Sequence, residues 1–201
     1  MPQRKRHPDG WIEYQPRLPA TYLAPSWSWA GVYGRAVRFG PESQYDLITP
    51  FAKVLDIDIQ LASQDPFGAV RGGSITLHGP FLRIGTVDSL IAPQSPEPYP
   101  SLMTAILPFL KDLVTNGYGE NAHEQQVGLL MLLKWRDVCR KEERVGVLVL
   151  LGVEGDDSWR RVECLTLIVK GSPTSNMMIA QGSLIFRECK DGMQREKVRI
   201  I

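Results

Sequence analysis

The pair His123-Glu124, in the run HEQQV, is the first place in this sequence where residue types suggest catalysis. A zinc-protease helix needs a second histidine one turn further on, so that two imidazoles share a helix face around the metal. That position is Val127, so the pattern is not met. His7 and His78 have no Cys or His partner at ligand spacing, and no metal site is expected. The run GYGENA (117–122) has the spacing of a loose dinucleotide loop, G-x-G-x-x-A. That chemistry needs its glycines between a strand and a helix N-terminus, where backbone amides meet the pyrophosphate. The residues before 117 read as helical, and no alternation of parallel strands and helices surrounds the run, so a polar loop is the better reading. DPFGAVRGG (65–73) is glycine-rich but lacks the Gly-Lys-Ser/Thr ending of a phosphate loop. There is no G-x-S-x-G nucleophile elbow. The carboxylate pairs Asp56/Asp58 and Asp156/Asp157 fall on the solvent face of a strand and in a turn. No set of residues fills the roles of an active site, so no catalytic residue and no cofactor is expected.

The segment YLAPSWSWAG (22–31) is the strongest aromatic signal. Residues two apart in an extended segment share a face, which puts Trp27 and Trp29 side by side with Ser26 and Ser28 on the reverse. Each indole can bury about 150–250 Å², so a core anchor is the leading reading and a ligand or partner platform the alternative.

The elements that must position these residues are mostly strands. AKVLDIDIQLA (52–62) alternates, with Leu55, Ile57, Ile59 and Leu61 on one face and Asp56, Asp58 and Gln60 on the other, the mark of a half-buried strand. The DPFG turn follows, with Asp65, Pro66 and Gly68 suited to positions i, i+1 and i+3 of a type I turn. GGSITLHG (72–79) alternates again and is expected to break at Gly79-Pro80 before FLRIG. AVRF (36–39) reads as one further short strand. PQSPEPYP (93–100) lies in a Pro-rich connection over 91–100 that has too few backbone donors for a sheet interior. SLMTAILPFLKDLV (101–114) has helical spacing interrupted by Pro108. RVGVLVLLGV (144–153) is apolar on both faces and predicts a central strand, paired through EGDDS with WRRVECLTLIV (159–169). GSLIFREC (182–189), KDG and EKVRII (196–201) suggest a second hairpin. The expected fold is α+β and mainly β: an antiparallel sheet forming a sandwich or partly open barrel, with one or two short helices.

Composition sets the frame. With 43% hydrophobic and 22% charged residues among 201, the chain has an ordinary globular balance and the length for one domain with its own core. A net charge of +1 gives no general pull toward nucleic acid or anionic lipid, and neither is expected as a partner. The one basic cluster, Arg4, Lys5 and Arg6, lies in residues 1–10, read as a disordered basic tail before a single β-rich domain over 11–201. Three cysteines, Cys139, Cys164 and Cys189, form no close pair and suggest neither a disulfide framework nor a zinc knuckle. No signal sequence and no apolar run long enough for a bilayer is visible, so a soluble, intracellular, cytoplasmic chain is expected.

YLAPSWSWAG also resembles the Tyr-x-Ala-Pro-Ser-Trp-Ser-Trp-Ala-Ser segment that follows the heterokaryon incompatibility (HET) domain in filamentous-fungal proteins. The matching residues are Tyr22, Ala24, Pro25, Trp27 and Trp29. The likeness continues in order. DPFGAVRGGSITLHG is similar to that family's Asp-x-Phe-Gly-x-Val and Gly-x-(apolar)-x-Leu-x-Gly pieces, through Asp65, Phe67, Gly68, Gly73, Leu77 and Gly79. VGVLVLLGVEGDDSWRRVECLTL resembles its late apolar strand, acidic-glycine turn and Arg-(Val/Ile)-Gly return, through Arg161, and EKVRII its terminal strand. Gly31 and Glu163 depart from the family's usual Ser and Gly, and 91–126 matches no part of it. The resemblance implies the C-terminal region of such a protein without its HET domain, as a truncated or vestigial paralogue. The function it implies is a non-enzymatic accessory or interaction module in non-self recognition. Its partner would be the missing upstream domain or another protein not identified by the sequence. The alternative is a small ligand-binding or enzymatic domain using the Trp27/Trp29 face and the 117–122 loop.

Overall fold

The structure is a computed structural model, and it describes residues 5–6, 12–13, 25, 45–65, 69–92, 106–107, 110–111, 114, 124–138, 141–170, 182–183, 185–187, 190 and 192–201. In chain order the elements are β1 (Lys5–Arg6), β2 (Ile12–Glu13), β3 (Tyr45–Pro50), β4 (Lys53–Leu61), β5 (Val70–Thr86), α1 (Val87–Ile91), β6 (Gln126–Asp137), β7 (Glu142–Gly152), β8 (Ser158–Lys170) and β9 (Gln194–Ile200). Strands β3 to β9 form one sheet in the order β3-β6-β7-β8-β9-β5-β4, with β5 also paired to β6. That extra pairing closes β5, β6, β7, β8 and β9 into a ring, and β3 and β4 continue the sheet outside it. Among the described residues every ladder is antiparallel except β8–β9. That contact is confined to Ser158↔Arg199 and Trp159↔Ile200, so the barrel is only partly closed on that side. The mainly β fold expected from the sequence is found, and of the two forms it allowed, a sandwich or a partly open barrel, the ring of strands is the barrel-like one.

Two cores follow from the period-2 alternation of β6 and β7. Leu130, Leu148 and Leu150 point inward and meet Leu77, Phe81, Trp159, Val198 and Ile200, so all five ring strands contribute to the inner core. The intervening Val127, Leu129, Met131, Val145, Val147, Val149 and Leu151 point outward. There they meet Val87 and Leu90 of α1 and helical residues Ile106, Leu110 and Ile185. Burial on both faces explains the unbroken apolar run of β7, and each fully buried side chain of this size contributes roughly 1.5–3 kcal/mol.

Several expectations are corrected. Strand β5 does not break at Gly79-Pro80; it runs through to Thr86. These two residues sit where one edge of β5 leaves β4 at His78 and before it meets β6 at Phe81. A partner switch is a place where a strand proline is tolerated. The segment 182–189, expected as a strand, is not one in its described residues. Its described residues 182, 183 and 185–187 are helical, which sends Ile185 into the outer core and stacks Phe186 on Phe51 with ring centroids 6.4 Å apart. Among the described residues the second hairpin is therefore absent, and β9 inserts between β5 and β8 instead. The β4 strand is present, but neither of its faces is buried: Asp56, Asp58 and Gln60 are exposed, and Val54, Leu55, Ile57 and Ile59 on the apolar side are 43–52% exposed as well. Leu55 also falls at a register shift between Val54 and Asp56, so it leaves the alternation.

The hairpin of β7 and β8 has the turn where it was expected. The described part of 101–114 is helical at 106, 107, 110, 111 and 114. Within the expected tail, Lys5 and Arg6 pair with Glu13 and Ile12. The connection expected over 91–100 starts later than that, since Ile91 ends α1 and Ala92 caps it; its residues 93–100, the AVRF strand, Pro108 and the 117–122 loop lie outside the described residues.

Candidate functional site

The inner core contains a pair of buried aromatic rings beneath the exposed Arg83. Phe81 on β5 and Trp159 at the start of β8 meet edge to face, 4.9 Å between centroids at 75°. The Arg83 guanidinium lies 5.5 Å from the centroid of each ring. Alternation places it there, because Phe81 and Arg83 are two apart on one strand. Arg83 also reaches Glu196 of β9 at 2.9 Å, an ion pair that ties the two strands together near the barrel end.

Beside this stack opens a cleft of about 250 Å³, lined by Arg83, Gln126, Trp159 and the β7–β8 turn, with Glu124 at its edge. The turn is closed by Val153 N–H donating to the Ser158 carbonyl at 2.9 Å. Ser158 donates its hydroxyl to Asp156 at 2.8 Å. Its proton is thereby committed to holding the turn. Glu124, Glu154, Asp156 and Asp157 set four carboxylates against the single Arg83, so the cleft attracts cations. Among the described residues no group of three or more His, Cys, Asp or Glu side chains is placed to hold a metal ion. Nor is any helix among them long and apolar enough to cross a membrane.

A second surface lies on β4 and the part of β5 beside it. The register pairs Val54 with Leu77, Ile57 with Ile75 and Ile59 with Gly73, so these six residues share one face. The opposite face carries Lys53, Asp56, Asp58 and Gln60. Pro25, which is buried, lies over Gly73: a Cβ added there would stand 3.1 Å from Pro25 Cγ and 2.8 Å from the Asp58 carbonyl. Gly79 is equally confined, since its Cβ would come 2.8 Å from that of Ala52 at the β3–β4 crossing.

The structure thus brings Pro25, Gly73, Leu77 and Gly79 together on and over β5. Asp65 is exposed in the β4–β5 loop, which the Ala62 N–H closes onto the Ala69 carbonyl at 2.7 Å. Arg161 lies apart from them on β8, where burial lowers its pKa against the opposing effects of Cys164 and Glu163. Cys164 is exposed on β8 and is not part of a disulfide. Tyr22, Ala24, Trp27, Trp29, Phe67 and Gly68 lie outside the described residues. Sequence reasoning missed Phe81, Arg83 and Trp159, whose one local signal is an arginine inside the apolar run FLRIG. No protein-family model, no curated protein and no solved structure matches this chain.

Proposed function

We propose that this protein is a non-enzymatic interaction module of the HET type, docking against a HET domain in fungal non-self recognition. The order of the YLAPSWSWAG, DPFGAVRGGSITLHG and late-hairpin pieces supports the family side of this reading. The single observation that carries the interaction role is the β4 face. Its half-exposed Val54, Ile57 and Ile59 continue the inner-core face of β5 beyond the barrel. An apolar strand face of this kind, next to charged residues, marks a surface that another protein covers. Pro25 ties the reading to the motif, because its ring lies over Gly73 beside Ile59.

The test is sedimentation of the purified chain mixed with a purified fungal HET domain. The proposal expects a complex whose dissociation constant rises about tenfold or more in the Ile57→Asp/Ile59→Asp variant, the loss of a central apolar contact. Absence of any complex with HET domains would remove this reading.

A further inference from the structure

Among the described residues β4 pairs on one edge alone, with β5, and its backbone is open along the other. Open edges are ordinarily blunted by lysine, proline or a bulge. Here Lys53 and the bulge at Leu55 guard only the first residues, leaving Asp56 to Gln60 as a regular stretch before the next register shift at Leu61. Such a stretch offers main-chain donors and acceptors to an added strand, while its alternating side chains select the sequence that adds. Residues directly opposite in a ladder share a face. An incoming strand would therefore place one alternate set beside Ile57 and Ile59 and the other beside Asp56 and Asp58.

A second copy of this chain is a poor occupant. In the antiparallel register that overlaps this stretch most, centred on Asp58, Asp58 of each copy would face Asp58 of the other, and like charges directly opposite destabilise a pair. We infer that the free edge of β4 binds an extended segment of a partner protein in which apolar residues alternate with lysine or arginine. The apolar set covers the Ile57/Ile59 face, and the basic set meets the two aspartates. This deepens the interaction-module reading by naming the chemistry of the partner, and it rests on that reading for its biological role.

The test uses the full chain and a fluorescein-labelled peptide of alternating lysine and valine about eight residues long, the length of an ordinary strand. A glutamate–valine peptide of equal length is the control. Fluorescence anisotropy should show binding of the lysine peptide and at least tenfold weaker binding of the control, with the difference shrinking as salt is raised. In the Asp56→Lys/Asp58→Lys variant, where exposed side chains alone change, the preference should reverse. Equal binding of both peptides, binding of neither, or a wild-type dimer lost in Ile57→Pro would each overturn the inference. Peptide binding without HET-domain docking would leave this inference standing and remove only the proposed family role.

Discussion

At the residue scale, two glycines show why the chain carries the smallest side chain where strands cross. Gly79 lies against Ala52 and Gly73 against Pro25 and the Asp58 carbonyl, so each records a close approach rather than a turn. Gly79→Ala should cost about 1–3 kcal/mol by overpacking. Ala52→Gly should recover part of that loss, and urea titrations of both single variants and the double variant measure the coupling. An unaltered midpoint for Gly79→Ala would show that the crossing is looser than the 2.8 Å approach implies. Glu143 gives a pH-dependent test. The hydrogen bond from Lys134, whose ion pair measures 2.7 Å, holds its carboxyl below the ordinary glutamate range, with partial burial opposing. A folded-state pKa below the unfolded one gives stability that is present above the unfolded pKa and lost as pH falls through the folded one. Glu143→Gln should therefore flatten the acid side of the stability profile. The pair is about a third exposed, so solvent screening keeps the change below about 1 kcal/mol.

At the element scale, legibility tracked how much of a strand's environment is written in its own residues. The strands β7 and β8 were readable because an apolar run too short for a helix, an acidic turn and a β-branched return can be satisfied only together. β6 was not placed from sequence, since VGLLMLL is rich in leucine and methionine, which suit a helix equally well. The segment around Ile185 failed for the same reason in the other direction: a short apolar run does not distinguish strand from helix. Ile185→Ala should cost about 2–5 kcal/mol, because the side chain is only 2% exposed within the outer core. On β4 the opposite holds. Ile59→Thr should stay within about 0.5 kcal/mol of wild type in a thermal or urea melt, since that side chain is 52% exposed. A large loss there would mean that the strand face is covered.

At the scale of the whole molecule, the two cores share β6 and β7 and cannot melt independently. One coincident transition by tryptophan fluorescence and far-ultraviolet circular dichroism is expected. Two separated transitions would contradict the shared-strand arrangement. What sequence could not reveal is the ring itself. β5 serves β4, β9 and β6 in turn, and nothing local in VRGGSITLHGPFLRIGT announces three partners. The candidate surface was half legible: the alternation of β4 was plain, while its exposure depends on which elements reach it. The account rests on that strand being an open receptor, and amide hydrogen exchange along Lys53–Leu61 tests this most directly. With the lysine–valine peptide absent, the outward amides of β4 should exchange far faster than those of β6 and β7; with it present, they should slow at least tenfold while β6 and β7 stay unchanged. Outward amides already protected in the free protein, or unmoved at saturating peptide, would contradict it.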